Sequence, residues 1–154
     1  MILAPADGKV VGIKKESSPE GSTEPDQIRI SIFLSVFNVH VNRAPIQGRV
    51  RTIRYQRGKC LAAFREEASQ VNEQNAVRMT NPRGGDVEVV QIAGLLARRI
   101  ICYVKEGQEL AKGQRLGIIM FGSRVDLFLP GGSSVAVTEG QKVKGGLTVI
   151  GKLS

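Results

Sequence analysis

Gly122-Ser123 sits between two apolar runs, Ile118 to Phe121 before it and Val125, Leu127 and Leu129 after it, until Pro130-Gly131-Gly132 stops the second. A serine that directly follows a glycine can attack the carbonyl of its own preceding residue. Glycine has no Cβ to block that approach and tolerates the strained backbone the attack requires. The peptide bond then becomes an ester, and the chain can cut itself. A hydroxyl is a weak nucleophile until a base takes its proton. His40 is the only histidine, and imidazole is the side chain whose ordinary pKa suits that task near neutral pH. It needs an orienting acceptor, for which Asp7, held in the turn Pro5-Ala6-Asp7-Gly8, is the candidate. The bland alternative is a buried structural histidine, the commoner fate of a lone one.

Two other Gly-Ser pairs test the choice of nucleophile. Gly21-Ser22 lies in the polar stretch 14–27 with Ser17, Ser18, Pro19 and Pro25, a surface loop. Gly132-Ser133 lies in Pro130-Gly131-Gly132-Ser133-Ser134, the usual home of turn residues. Only Gly122-Ser123 puts a turn dipeptide inside apolar sequence, and that misfit points to function.

The elements that must position these residues read as strands. After the Asp7-Gly8 turn, alternation begins at Lys9 and runs to Ile13. Gln27 to Ser35 alternates Ile28, Ile30, Ile32 and Leu34 against Arg29, Ser31 and Phe33, the period of two expected of a strand. Further strands are expected at Gly48 to Tyr55, Asp86 to Ile92 and Ala97 to Val104. Leu61 to Asn75 mixes good helix formers with Asn and Gln and permits at most a short helix. Val104-Lys105-Glu106-Gly107-Gln108-Glu109-Leu110 is echoed by Val137-Thr138-Glu139-Gly140-Gln141-Lys142-Val143, and Lys112-Gly113 and Lys144-Gly145 follow the two copies. Two such strand-turn-strand units predict a mainly β fold, stacked β-hairpins forming a barrel-like sandwich with at most short helices.

At 154 residues the chain is expected to be one domain with a single core. The 18 glycines and 5% aromatic content agree with many short strands joined by tight turns. A net charge of +8 favours an anionic partner. From Arg43 to Lys59 six basic residues (Arg43, Arg49, Arg51, Arg54, Arg57 and Lys59) occur without an acid. Such a stretch is either a solvated strand face or a contact for an anionic membrane surface. No run reaches the roughly 18 apolar residues of a membrane span. Cys60 and Cys102 lack metal-ligand spacing and read as reduced thiols, and one histidine cannot complete a typical zinc hydrolase set.

Four segments together carry a family resemblance: Ala4-Pro5-Ala6-Asp7-Gly8, Leu34-Ser35-Val36-Phe37-Asn38-Val39-His40-Val41-Asn42-Arg43, Ile92-Ala93-Gly94-Leu95-Leu96-Ala97-Arg98-Arg99-Ile100, and Phe121-Gly122-Ser123-Arg124-Val125-Asp126. In this order the sequence resembles phosphatidylserine decarboxylase in its short bacterial and archaeal form, without the apolar N-terminal anchor such members usually carry. The resemblance implies a proenzyme that cuts itself between Gly122 and Ser123 into fragments 1–122 and 123–154, which stay associated. It implies that Ser123 becomes a pyruvoyl group, the sole cofactor, with no metal. The amine of phosphatidylserine would form a Schiff base with that group, which acts as the electron sink for loss of carbon dioxide, and phosphatidylethanolamine would be released. Asp7 matches the family's triad aspartate. Longer members carry two histidines three apart over the segment matching residues 40–43, the second serving as the self-cleavage base. Here the first is His40 and the second is Arg43, so either His40 serves both maturation and turnover or the maturation base differs in this short form. Arg43 cannot act as a base near pH 7 and is the candidate contact for the lipid phosphate or carboxylate. The expected place is the cytoplasmic face of the cell membrane, held peripherally, with homo-oligomerisation left open.

A biotinyl or lipoyl carrier is also built from β-hairpins, but Lys112 and Lys144 are followed by glycine and lack a carrier's flanking motif. A basic β-barrel that binds RNA would want exposed aromatics for stacking, which this composition hardly supplies, so no nucleic acid partner is expected.

Overall fold

The computed structural model describes residues 1–23, 25–35, 41–58, 72–94, 100–119 and 122–154. No helix occurs among them, and the secondary structure is strands throughout. The strands are β1 (Ile2–Leu3), β2 (Gly8–Glu16), β3 (Gln27–Leu34), β4 (Val41–Arg43), β5 (Gly48–Gln56), β6 (Gln74–Thr80) and β7 (Asp86–Ile92). They continue with β8 (Ile100–Cys102), β9 (Glu109–Leu110), β10 (Arg115–Ile119), β11 (Ser123–Pro130), β12 (Ser134–Val135), β13 (Lys142–Val143) and β14 (Val149–Lys152). Eight form one curled antiparallel sheet in the order β13-β2-β3-β11-β7-β6-β5-β9, and two three-stranded sheets, β1-β14-β12 and β4-β10-β8, accompany it.

The period-two pattern explains which face each strand buries. Ile28, Ile30, Ile32 and Leu34 of β3, Val125, Leu127 and Leu129 of β11, Val87 and Val89 of β7, and Val77 and Met79 of β6 all enter one buried apolar core. The opposite face of β11 is also closed to solvent, but by charge. Arg124 lies 3.0 Å through Nε from Asp126 Oδ1, with Arg29 Nη1 4.0 Å from Asp126 Oδ2.

The strand order reads the same from either end, because the chain holds two copies of one seven-strand unit. One copy is β1 to β3 with β11 to β14; the other, β4 to β10, is inserted whole between β3 and β11. The hydrogen bonds repeat with the topology. Arg43 N donates to Pro5 O as Leu3 N donates to Pro45 O, and Gly107 N to Val50 O as Gly140 N to Val10 O. Even side chains repeat: Glu106 Oε1 accepts Ile53 N at 3.0 Å and Glu139 Oε1 accepts Ile13 N at 3.1 Å, each at a bulge in the receiving strand. The repeat seen in the sequence is therefore half of a larger one, whose other half pairs Ala4-Pro5-Ala6-Asp7-Gly8-Lys9-Val10 with Ala44-Pro45-Ile46-Gln47-Gly48-Arg49-Val50.

Two expectations need correction. The segment Leu61 to Asn75 ends in strand, since Gln74 and Asn75 open β6, while residues 61–71 lie outside the described residues. The ladder with β7 decides this: Gln74 pairs with Ile92 and Asn75 with Gln91, so tertiary pairing overrides local propensity. Of the strand expected over Ala97 to Val104, Ile100–Cys102 is strand and Tyr103 and Val104 are not, while 97–99 lie outside the described residues.

Candidate active site

Ser123 is the first residue of β11, paired across from Leu34 and fully buried on the same face as Val125 and Leu127. The glycine before it has φ +75, the left-handed region that side-chain-bearing residues avoid, and a Cβ placed there would meet nothing within 4 Å. Gly122 N donates to Leu34 O at 2.8 Å, which fixes the peptide against the end of β3. The backbone conformation, and not crowding, is what demands glycine here.

The other two Gly-Ser pairs are unlike this one. Ser22 N closes a turn onto Pro19 O in an exposed loop, and Ser133 N closes one onto Pro130 O just after β11. The true structural counterpart of Gly122-Ser123 is Gly84-Gly85. Gly84 has φ +93, and its N–H donates to Asn81 O at 2.9 Å, as Gly122 N does to Leu34 O. There the halves differ. Asn81 to Gly85 is a closed hairpin turn between β6 and β7, whereas the corresponding link between β3 and β11 is opened by the inserted half.

Asp7 is brought to the same end of the sheet. Lys9, two residues on, pairs with Phe33, next to the Leu34 that pairs with Ser123, so Asp7 and Ser123 flank the end of β3 from either side. Asp7 Oδ1 accepts the amide of Gly145 at 2.7 Å, which anchors the half-buried carboxylate. The corresponding residue in the inserted half is Gln47, whose carbonyl accepts from Asn81 Nδ2. Only one pole carries the acid.

His40 lies outside the described residues. The described residues flanking it are Ser35, one past the end of β3, and Val41, which pairs with Ile118 on β10. Arg43 Nη1 donates to Gly113 O at 2.9 Å, and its side chain lies over Gly146, where a Cβ would fall 2.8 Å from Arg43 Cδ. The Arg43 side chain thus hydrogen-bonds the turn that follows one repeat and lies against the turn that follows the other.

Beside Ser123 lie buried amides that the sequence reading passed over. Asn75 Nδ2 donates to Gln91 Oε1 at 3.1 Å, and Gln91 Nε2 donates to Asn42 Oδ1 at 2.8 Å. The available signal was parity: Gln91 follows Val87 and Val89 on the core face of β7, and Asn75 precedes Val77 and Met79 on that of β6. Among the described residues no group of three or more His, Cys, Asp or Glu side chains is placed to hold a metal ion.

The comparisons with known proteins agree on one family. The model of the family described as phosphatidylserine decarboxylase matches residues 1–151. The phosphatidylserine decarboxylase proenzyme of Aromatoleum aromaticum is 47% identical over 152 residues, covering 99% of this chain and 70% of its own length. That of Ralstonia nicotianae is 48% identical over 152 residues with the same coverage. That of Nitrobacter winogradskyi is 47% identical, over 97% of this chain and 62% of the relative.

Proposed function

The chain belongs to the phosphatidylserine decarboxylase family, and on that premise we propose that it is a self-processing, pyruvoyl-dependent carboxy-lyase that converts phosphatidylserine to phosphatidylethanolamine. The observation that carries this reading is the Gly122-Ser123 peptide: a buried serine behind a glycine at φ +75, where the symmetry of the fold requires only a hairpin turn.

In maturation Ser123 Oγ bonds to the Gly122 carbonyl carbon as the peptide C–N bond breaks, giving an ester and a free amine at 123. His40, oriented by Asp7, takes the hydroxyl proton. His40 passes that proton to the leaving amine; elimination then gives the Cα proton of residue 123 to a base as the Cβ–Oγ bond breaks, so that Gly122 leaves as a carboxylate and residue 123 is left as an enamine. The enamine tautomerises to an imine, water adds to it, and ammonia leaves. A pyruvoyl carbonyl at residue 123 would supply an electrophile for the substrate amine and a sink for the electron pair left when carbon dioxide departs. The surroundings of Ser123 suit such a group. The core face of β11 keeps bulk water away, and pairing to both β3 and β7 holds the new N-terminus in place.

Arg43 keeps N–H donors beyond the one given to Gly113 and is assigned to the lipid phosphate. Tyr55 and Arg54, exposed at the end of β5 that lies at the Ser123 pole, and Arg57 just beyond them, are assigned to an anionic membrane surface. The carrier reading gains nothing, since Arg43 braces both Lys-Gly turns instead of leaving either as a free hairpin tip.

Denaturing electrophoresis and intact mass measurement test the proposal. The wild-type chain is expected to yield fragments 1–122 and 123–154, the second beginning with pyruvoyl. Ser123→Ala and His40→Ala are expected to stay whole and inactive, while Ser133→Ala cleaves and turns over normally. Cleavage blocked by Ser133→Ala, or a wild-type chain that stays whole, overturns the reading.

A further inference from the structure

The two halves of the fold permit a comparison at the site itself. Counting along the paired strands from Ser123 and Gly85, Leu129 is the counterpart of Gln91. Counting from Leu34 and Asn81, Ile28 is the counterpart of Asn75. Asn42 pairs with Gly117 as Ile2 pairs with Gly151, and a side chain on either glycine would collide with a neighbouring strand carbonyl, that of Ile101 or Ser134. All six residues are buried. At the pole of the closed hairpin the fold therefore fills this place with Ile2, Ile28 and Leu129. At the pole of Gly122-Ser123 it fills it with Asn42, Asn75 and Gln91. The architecture does not need the amides.

Their orientation is fixed. Gln91 Nε2 faces two oxygens, Asn42 Oδ1 at 2.8 Å and Ile101 O at 3.4 Å, while its Oε1 takes the proton of Asn75. Asn42 must then present Nδ2 outward. That atom is fully buried and has no partner among the described residues. A buried donor left without an acceptor is costly, and such groups in native structures call for an explanation. Gln91 pairs with Val125, so it is the diagonal neighbour of Ser123 on the same core face, about 7–8 Å away.

We propose that the relay Asn75–Gln91–Asn42 is a specificity element of this decarboxylase, and that Asn42 Nδ2 donates to the carboxylate of the amine-bearing headgroup bound at residue 123. The inference rests on the decarboxylase reading above. A neutral donor suits the reaction. Negative charge leaves the carboxylate as carbon dioxide forms, so a fixed cation there would hold the ground state more tightly than the transition state. An amide at the end of a polarised hydrogen-bond chain orients the carboxylate without that penalty.

The test is the triple variant Asn42→Ile, Asn75→Ile, Gln91→Leu, which copies the other pole, beside the single variant Asn42→Leu. Both are made in the full chain. After maturation, borohydride traps the amine adduct at residue 123 during brief exposure to mixed vesicles holding equal amounts of phosphatidylserine deuterated in its serine methylene and unlabelled phosphatidylethanolamine, and mass measurement of the label, which survives loss of carbon dioxide, gives the adduct ratio. The triple variant, which leaves no amide behind, is expected to melt no lower than wild type, Asn42→Leu to melt lower because it takes the acceptor from Gln91 Nε2, and both to cleave normally. Their preference for the carboxylate-bearing amine should fall by about tenfold to a hundredfold, the worth of a charge-assisted hydrogen bond. An unchanged ratio in a variant that folds and cleaves overturns the assignment and leaves the decarboxylase reading intact. Loss of cleavage places the relay in maturation and also overturns it, and a markedly lower melting temperature of the triple variant shows the amides to be structural. A wild-type chain that traps neither amine refutes the decarboxylase reading instead.

Discussion

Substitution of Gly122 by alanine probes the backbone on which the proposed self-cleavage rests, and the fold supplies its own control. Nothing lies within 4 Å of a Cβ at Gly122, so the cost is conformational: an L-residue held at φ +75. A left-handed residue costs about 1–2 kcal/mol relative to glycine. Gly84, at φ +93 in the equivalent turn with equally open surroundings, should cost the same. In an uncleavable Ser123→Ala background, Gly122→Ala and Gly84→Ala should each lower the melting temperature by about 2–8 °C for a domain of this size. Cleavage should separate them. Alanine 122 relieves its strain by rotating the 122–123 peptide out of reach of Ser123 Oγ, and excluding the attacking geometry by about 1.4 kcal/mol slows cleavage about tenfold. Gly84→Ala should cleave within about twofold of wild type. A time course of precursor loss on denaturing gels reads both. If Gly122→Ala cleaves at the wild-type rate despite its lower melting temperature, the positive φ has no part in the attack. If Gly84→Ala slows cleavage equally, the effect is global destabilisation.

Asp7→Ala should destabilise the chain by about 1–2 kcal/mol through loss of the Gly145 N–H to Oδ1 hydrogen bond and should block cleavage. Asp7→Asn keeps an acceptor for that amide but loses the charge, so near-normal melting with strongly slowed cleavage is expected; normal cleavage by Asp7→Asn would remove Asp7 from the base's support. On the basic strand, Arg51, Arg54 and Arg57 changed together to Gln should weaken binding to anionic vesicles by up to about a hundredfold, at about 1 kcal/mol per residue. Arg54 already shares Glu88 with Arg78, which places the expected loss toward the lower part of that range. Sedimentation with anionic and zwitterionic vesicles at two salt concentrations measures it, and binding indifferent to both charge and salt would exclude this face.

Much of the architecture was legible because a two-sided sheet writes itself as alternation. Gln27 to Ser35 and Asp86 to Ile92 are strands nearly to the residue. The repeat around Gly107 and Gly140 also marked equivalent turns, since each needs the same positive φ and the same glutamate reaching a bulge. Its companion was missed because only a short pattern of Ala, Pro, Gly and Val survives between residues 4–10 and 44–50, and the remaining positions carry different side chains. The insertion of one half into the other was not legible at all: which strand sits beside which is decided by partners far apart in sequence. At the site, Ser123 and Asp7 stood out as a turn residue in the wrong place and an acid in a rigid turn. Asn75 and Gln91 did not, because a polar residue on a core-facing parity position reads as noise until the paired strands put the amides in one chain.

Insertion also changes what kind of folding problem the protein presents before and after a cut at Gly122. The intact chain folds in a single-molecule event. The 123–154 piece holds β11, wedged between β3 and β7 in the middle of the large sheet, and β14, which pairs with β1 of the other piece. Once the bond is broken, these strands can return only by meeting a second molecule, so refolding becomes bimolecular and stability depends on concentration. Dilution of the native protein does little, because the central strand leaves only when the sheet comes apart. A cleaved molecule that does unfold at low concentration has lost its route back, and its working life is set by an unfolding rate, not by an equilibrium.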